Sequence, residues 1–214
     1  MIFNLSAENT LANEFLWEMR NQVIQRDRSR FRKNMKRLGN LMAYEISKKM
    51  IFKNKSVETP LAKSSLNVLE TYPVLLTVMR AGLPYFDGFL DFFDQSDCGF
   101  MGAYRQEDSE EIIIQLDYVA TPQVSNRPVI LIDPMLATGK SIVRSVQALL
   151  KHGNPSHIYI AALVAAPEGI QFVTENLKIP HSLWTCAVDE SLNHQFYIVP
   201  GLGDAGDLSF GVKL

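Results

Sequence analysis

The chain has 214 residues, of which 47% are hydrophobic and 21% charged, and its formal net charge is −2. These values are typical of one globular domain with a sizeable core, and the nearly balanced charge argues against bulk nucleic-acid binding. The apolar runs are too short to span a membrane, and the N-terminus MIFNLSAENT lacks the pattern of a secretory signal. The two cysteines have no metal-ligand spacing, so we expect a cytoplasmic protein with reduced thiols.

The N-terminal segment, to about residue 55, is predicted to be helical. Ser29 is a candidate N-cap, and apolar residues follow it at helical spacing: Phe31, Met35, Leu38, Met42 and Ile46. The same region contains a basic run, made of Arg26, Arg28, Arg30, Arg32, Lys33, Lys36 and Arg37. A charge run of this kind is typical of a solvated helix face, and contact with RNA or an anionic ligand is the alternative.

From Pro73 onward, apolar runs alternate with helical patterns. Strands are predicted at residues 74–78, 129–132 and 158–166, and helices at residues 84–93, 142–152 and from Pro167. Two short strands, LWTCAV and FYIV, follow. This order predicts an α/β fold, a doubly wound and mostly parallel sheet with helices on both faces. Residues 112–119 are β-prone and follow the acidic stretch EDSEE, which suggests a protruding β-arm over about residues 106–127.

Residues 133–141 read DPMLATGKS, directly after the apolar run VILI. The ending GKS is shared with the nucleotide-binding P-loop, but Pro134 stands where that pattern needs its first glycine. Proline fixes φ and has no N–H, so a P-loop kinase is rejected. A strand, a loop of small residues and a helix N-terminus together predict an anion site. An ordinary strand–loop–helix crossover is the alternative.

Three other loops join this one at the carboxyl ends of the predicted strands, where ligands bind in such folds. They are MRAGLPYFDG, APEG and YIVPGLGDAGD, and the last has three glycines and two aspartates. Together, these loops resemble the uracil phosphoribosyltransferase family. The matching stretches are MRAGL, MGAYR, DPMLATGKS, LVAAPEGI and YIVPGLGDAGD, with RSRFRK and LGNLMAYE near the N-terminus.

The resemblance spans nearly the whole chain and implies a single phosphoribosyltransferase domain, residues 1–214, of the type I kind. It implies a pyrimidine-salvage enzyme that transfers the phosphoribosyl group of 5-phosphoribosyl diphosphate (PRPP) to uracil, giving UMP and diphosphate. The uracil-binding C-terminal loop would occupy about residues 190–211. A PRPP- or nucleotide-sensing regulator that has lost turnover is the alternative. The enzyme is favoured because two PRPP-side arginines, Arg80 and Arg105, and two aspartates of the C-terminal loop, Asp204 and Asp207, are present.

The resemblance also implies the site residues. Four would be catalytic, namely Arg80, Arg105, Asp133 and Asp204. PRPP would be bound by these four together with Pro134, Met135, Leu136, Ala137, Thr138, Gly139, Lys140 and Ser141. Uracil would be bound by Tyr197, Ile198, Gly203, Asp204 and Ala205. Without the resemblance, the arginines could be surface or rim residues, and the aspartates could be turn residues.

The chemistry leaves the general base open, since uracil could lose its proton to solvent or to Asp204. Mg²⁺ is the expected cofactor, held mainly by diphosphate oxygens and water.

The expected partners are the two small substrates and a second copy of the chain. The homodimer would form through residues 112–119, and a higher oligomer is the alternative. The chain departs from the family in having Lys140 for glycine, Leu208 for a basic residue, and a looser match after Arg105. We expect Lys140 to have an ordinary φ.

Overall fold

The computed structural model describes residues 2–106 and 113–212, and for residues 103–106 and 113–117 it describes the backbone only. Its helices are α1 (Leu11–Arg20), α2 (Arg28–Ser47), α3 (Leu83–Phe92), α4 (Lys140–Leu149), α5 (Pro167–Asn176) and α6 (Ala205–Phe210). Its strands are β1 (Ile2–Asn4), β2 (Phe52–Glu58), β3 (Lys63–Leu69), β4 (Val74–Met79), β5 (Cys98–Gln106), β6 (Ile113–Ala120), β7 (Pro128–Ile132), β8 (Met135–Leu136), β9 (His157–Ala165), β10 (His181–Val188), β11 (Ser191–Leu192) and β12 (Ile198–Val199).

The main sheet has the strand order β1-β10-β9-β7-β4-β5-β6 in the part of the chain that is described, and β8 also pairs with β9. Along this order, every neighbouring pair from β1 across to β5 is parallel, and the edge strand β6 is antiparallel to β5. From β4 the chain passes through α3 to β5 on one side, and from β7 it passes through α4 to β9 on the other. The direction of winding therefore reverses between the adjacent strands β4 and β7, and ligands bind at such switch points.

Helices cover both faces of this sheet, as β4 shows. Leu75 belongs to a buried cluster with Phe31 of α2, whereas its neighbours Val74 and Leu76 belong to a cluster with Val146 of α4. Successive strand residues point to opposite faces, so a strand covered on both faces has a continuous apolar sequence. The predicted α/β doubly wound fold is confirmed, and so is the apolar stripe of α2, all of whose residues are buried.

The structure corrects the prediction for the N-terminal segment in three details. Asp27, and not Ser29, is the N-cap of α2, and its side chain accepts a hydrogen bond from the backbone N–H of Arg30 at 3.0 Å. Residues 1–55 are not helical throughout, because β1 joins the sheet beside β10 and β2 begins at Phe52. The pairing of β1 depends on a strand more than 180 residues away, so no local pattern predicts it.

Two hairpins lie at the margins of the fold. β2 and β3 form a separate two-stranded sheet that sequence analysis did not identify, and every residue of β2 is exposed. β5 and β6 form the second hairpin, with a register shift between Gly102 and Ala103. The predicted β-arm falls partly on this hairpin, and its residues 107–112 lie outside the described residues. None of the described helices has the length and apolarity needed to cross a membrane.

Candidate active site

The anion loop, residues 133–141, connects β7 to α4 through the short strand β8. Gly139 is the residue before α4, with φ of 74°, and α4 begins at Lys140. Gly139 has no side chain to cap this helix end, and Thr138 Oγ1 accepts only from the Lys140 N–H, at 3.4 Å, so the other N–H groups at the helix start are available to an anion. Lys140 is helical and does not have a positive φ, which confirms the expectation for this residue.

Gly139 also allows the anion loop to pack closely on α5. A Cβ atom at this position would lie 2.7 Å from the carbonyl oxygen of Gly169 and 2.9 Å from a methyl group of Val173. In the opposite direction, a Cβ on Gly169 would lie 2.2 Å from the carbonyl oxygen of Ala137. The loop and the start of α5 therefore meet backbone to backbone, which explains why APEG follows β9 at the same edge of the sheet.

Asp133 is the buried carboxylate of the anion loop, with 8% of its surface exposed. It accepts hydrogen bonds from the Met135 backbone N–H at 3.2 Å and from the Ser141 hydroxyl at 3.3 Å. Burial raises the pKa of Asp133 to about 6, although both hydrogen bonds favour the ionised form. A carboxylate that is ionised at neutral pH in a desolvated position is well suited to accept hydrogen bonds from hydroxyl groups of a ligand.

Arg80 follows β4, directly across the switch point from Asp133. Its Nη2 donates to Asp207 Oδ1 at 2.7 Å and to the Gly211 carbonyl oxygen at 2.8 Å. The predicted role of Arg80 on a diphosphate stays a prediction, since the structure shows the guanidinium against the C-terminal residues. Arg105 lies in β5, beside β4, and its side chain lies outside the described part of the chain, so its predicted role stays a prediction too.

Within the predicted uracil-binding segment, residues 198–204 run from β12 to the start of α6, and the name C-terminal loop is used for these residues from here on. Asp204 is the N-cap of α6, and its Oδ1 accepts from the Asp207 backbone N–H at 2.9 Å. A Cβ placed on Gly206 would lie 3.1 Å from Asp204 Oδ1 and 3.7 Å from Arg80 Nε. The structure therefore brings Arg80, Asp204 and Asp207 together, next to the anion loop across the switch point.

The predicted uracil-binding residues differ in exposure. Gly203 is exposed with φ of 91°, whereas Ile198 and Ala205 are buried, so only their backbone groups can reach a ligand. Tyr197 has an exposed side chain, and its backbone N–H donates to Asn193 Oδ1 at 2.9 Å. The carbonyl oxygen of Tyr197 accepts from the Asn193 backbone N–H at 2.9 Å, so the polar group of Tyr197 that remains for a ligand is its hydroxyl.

Sequence analysis missed the residues that hold the C-terminal loop. Arg20, the last residue of α1, forms a two-pronged ion pair with Asp189, at 2.6 and 3.0 Å, and both contact Gly201. Arg32 of α2 donates to the carbonyl oxygen of Ser209 at 2.6 Å. No local signal could have identified Arg20 and Asp189, because 169 residues separate them and neither lies in a recognisable motif.

An anion-binding helix start that faces a loop with exposed backbone, at the switch point of a parallel sheet, defines a class of α/β proteins that bind phosphorylated ligands. The family model of uracil phosphoribosyltransferase matches residues 6–212. The chain therefore belongs to the uracil phosphoribosyltransferase family.

Similar proteins span the whole chain. A uracil phosphoribosyltransferase of Porphyromonas gingivalis is 44% identical over 214 residues, which cover 100% of this chain and 99% of the relative. One from Methanothermobacter thermautotrophicus is 34% identical over 206 residues, covering 95% of this chain and 93% of the relative. Among solved structures, the AQ2163 protein from Aquifex aeolicus has a TM-score of 0.88 at 31% identity, with 100% of both chains covered.

Proposed function

We propose that this chain transfers the phosphoribosyl group of PRPP to uracil, forming UMP and diphosphate in pyrimidine salvage. One observation carries the proposal: in a chain of this family, the anion loop follows β7, and Arg80, which follows the adjacent strand β4, binds Asp207 and Gly211 just beyond the C-terminal loop. The anion loop offers a phosphate the start of α4, where Gly139 provides no capping side chain, and the C-terminal loop offers backbone groups to a planar base.

The reaction breaks the bond between ribose C1 and the diphosphate oxygen, and the bonding electrons leave with diphosphate. N1 of uracil forms the new bond to C1, and its proton goes to solvent or to Asp204. In this proposal the start of α4 holds the 5′-phosphate, Asp133 accepts from the ribose hydroxyls, and Arg80 and Arg105 neutralise the departing diphosphate. Catalysis then consists mainly of positioning and of stabilising charge on the leaving group.

Magnesium belongs to the proposal as an ion that enters with PRPP. The described residues contain no group of three or more histidine, cysteine or acidic side chains that could hold a metal. Mg²⁺ keeps several waters and binds substrate oxygens, so diphosphate oxygens and water would be its main ligands. Bound there, the ion would neutralise diphosphate charge. PRPP binding measured by calorimetry with and without Mg²⁺ tests this part, and equal affinity would contradict it.

Selection of uracil depends on the C-terminal loop. The buried positions of Ile198 and Ala205 and the open position of Gly203 leave N–H and C=O groups as the recognition elements. Cytosine presents a donor where uracil presents an acceptor, so a fixed backbone pattern would leave buried polar groups unpaired against it. We therefore expect uracil to be a substrate and cytosine to be rejected.

A product assay tests the proposal. The purified protein is incubated with PRPP, Mg²⁺ and uracil or cytosine in turn, and UMP and diphosphate are quantified. We expect equal amounts of UMP and diphosphate with uracil, and no nucleotide with cytosine. PRPP binding without UMP formation would instead favour the regulator considered above, and equal turnover of the two bases would contradict the proposed base recognition.

We also propose a homodimer. The expected contact through residues 112–119 stays a prediction, because these residues lie partly outside the described part of the chain. The β2–β3 hairpin is a second, described surface for such a contact. Phe52, Leu61 and Leu66 are among its exposed apolar residues, and a two-stranded hairpin alone is marginally stable in water. Packing against a second copy of the chain would bury these apolar side chains and stabilise the hairpin.

Light scattering should show a dimer for the parent protein and a smaller species for a variant with Leu61→Lys and Leu66→Lys. Val23→Lys, at an exposed apolar site in another part of the chain, should stay dimeric.

A cytoplasmic location is part of the proposal. Both cysteines are free, and burial raises the pKa of the Cys186 thiol to about 12. Such a thiol is unreactive and suits a reducing compartment. Cell fractionation with enzyme assay of each fraction tests this expectation, and activity confined to a membrane or secreted fraction would contradict it.

A further inference from the structure

The C-terminal loop has a backbone conformation that its own residues do not stabilise with side-chain hydrogen bonds. Gly201 has φ of 61°, and a Cβ at this position would lie 2.1 Å from the carbonyl oxygen of Ile198, so the chain turns back tightly here. The adjoining strand β12 has only two residues, paired with β11. A loop with so little regular structure needs contacts from elsewhere to keep one conformation.

Both backbone polar groups of Gly201 are bound by one ion pair. Its N–H donates to Asp189 Oδ2 at 2.8 Å, and its carbonyl oxygen accepts from Arg20 Nη1 at 3.1 Å. The same Arg20 donates to both oxygens of Asp189, so the three residues form a closed set of hydrogen bonds. Asp189 is itself fixed to the sheet, because its backbone N–H donates to the carbonyl oxygen of Ala165 at 2.8 Å.

The neighbouring residue is held by the same N-terminal segment. The side-chain amide of Gln25 is assigned the orientation that satisfies both its oxygen and its nitrogen; its nitrogen then donates to the carbonyl oxygens of Leu202 at 2.8 Å and of Met19 at 3.0 Å. Gly203 and Asp204, whose groups are proposed to meet uracil and PRPP, follow directly. The N-terminal segment therefore fixes the two residues that precede the recognition groups.

The Arg20–Asp189 pair is well suited to hold this position rigidly. The Asp189 side chain is 4% exposed and the Arg20 side chain 23% exposed, so water competes weakly for their hydrogen bonds. A two-pronged guanidinium–carboxylate contact fixes orientation as well as distance. Removing Arg20 leaves the Asp189 carboxylate buried without its counter-charge, and the carboxylate would move toward water and release Gly201.

We propose that Arg20 and Asp189 are positioning residues for base recognition: they set the affinity for uracil, and its preference over cytosine, by fixing Gly201. Neither residue contacts a substrate in this account. The inference rests on the proposed function for its kinetic consequence, but its structural consequence can be measured without turnover. A displacement of about 1 Å in groups that position a substrate can change rates by about 100-fold.

The kinetic test compares Arg20→Ala, Arg20→Lys and Asp189→Asn with a matched control. Arg30→Ala is the control, because Arg30 of α2 makes a similar two-pronged contact with Glu18 of α1, at 2.5 and 2.7 Å, and this contact does not involve the C-terminal loop. We expect Arg20→Ala and Asp189→Asn to raise the uracil KM about ten- to 100-fold. The PRPP dissociation constant should change less than twofold, and discrimination against cytosine should weaken. Arg20→Lys should recover part of the loss.

Equal changes in the uracil KM and the PRPP dissociation constant would overturn the inference, and so would an Arg30→Ala variant with the same uracil defect. If the parent protein forms UMP and the uracil KM of Arg20→Ala equals that of the parent, the inference fails while the proposed function stands.

If the parent protein forms no UMP, the proposed function fails, and hydrogen exchange decides the inference. Exchange of the amides of residues 201–204 should then be faster in Arg20→Ala and Arg20→Lys than in Arg30→Ala, with exchange in the anion loop unchanged. Unchanged exchange in residues 201–204 would overturn it.

Discussion

The anion loop and the C-terminal loop are built in different ways. The anion loop is fixed by its neighbours in the chain, since β7 precedes it, α4 follows it, and Asp133 bonds to Met135 and Ser141 within the loop. The C-terminal loop is fixed from a distance, by Arg20 of α1 acting with Asp189. The difference shows that an element of a site can be local in sequence or depend on residues far away, even when both elements meet at one sheet edge.

The largest expected effect concerns the charge that the anion loop buries. Burial raises the pKa of Asp133 from its ordinary value of 3.8 to about 6, so the folded protein binds this proton more tightly than the unfolded chain. The stability of the unliganded protein should therefore fall as pH rises from about 4 to about 6, and stay lower above that. A shift of about 2 units corresponds to about 3 kcal/mol.

Asp133→Asn removes this titration. Between pH 4 and pH 8, the unfolding free energy of the variant relative to the parent should rise by about 2 to 3 kcal/mol, measured by urea denaturation without ligand. PRPP binding should be weaker in the variant at both values. A stability difference that does not change with pH would show that the Asp133 carboxylate is not destabilised by burial in the folded protein.

The second prediction concerns Arg80, which lies between the two loops. Arg80→Ala should lower kcat/KM for PRPP about ten- to 150-fold, because a hydrogen bond to a charged group contributes about 1.5–3 kcal/mol. Arg105→Ala should have an effect in the same range. Arg127→Ala is the control, since Arg127 forms an ion pair with Asp97 and precedes β7, at the opposite edge of the sheet from Arg80. Changes below threefold in both Arg80→Ala and Arg105→Ala would show that diphosphate binds elsewhere.

The third prediction separates strain from collision in the two loops. Gly139→Ala and Gly203→Ala both place a side chain at positive φ, which costs about 1–3 kcal/mol. Only the Cβ at residue 139 also collides, at 2.7 Å from the Gly169 carbonyl oxygen, whereas the nearest atom at residue 203 lies at 3.6 Å. Urea unfolding should therefore show a larger loss of stability for Gly139→Ala. Equal losses would mean that α5 can move away from the anion loop at little cost.

The sequence allowed prediction of what short-range patterns encode. Continuous apolar runs gave the buried strands, helical spacing gave the α2 stripe, and the DPMLATGKS stretch gave the strand, loop and helix start around Asp133. Lys140 was expected at ordinary φ, and it is the first residue of α4. These features depend on residues within one or two helical turns of each other, which is the range over which sequence patterns are informative.

Features that depend on tertiary contact could not be predicted. The basic run is exposed or half-buried, as a solvated face requires, but the pairing of Arg30 with Glu18 and the contact of Arg32 with the Ser209 carbonyl oxygen were not predicted. The sequence could not distinguish Asp27 from Ser29 as the N-cap of α2, because both residue types are good N-caps. The pairing of Arg20 with Asp189 depends on how α1 packs on the sheet, and no spacing within either segment indicates it.

The most direct test of the account measures whether the two loops act independently. Lys140 is half-buried at the start of α4, and an ammonium at such a position adds at most about 1 kcal/mol to anion binding. Lys140→Gly should raise the PRPP dissociation constant about two- to fivefold and flatten its salt dependence, with the uracil KM unchanged. Arg20→Ala should raise the uracil KM and leave the PRPP dissociation constant nearly unchanged.

The PRPP dissociation constant and the uracil KM are measured in Lys140→Gly, in Arg20→Ala and in the double variant. The account predicts that each substitution affects its own substrate and that the double variant shows the product of the single effects. Tighter PRPP binding by Lys140→Gly at every salt concentration, or a uracil KM that rises as much in Lys140→Gly as in Arg20→Ala, would contradict it.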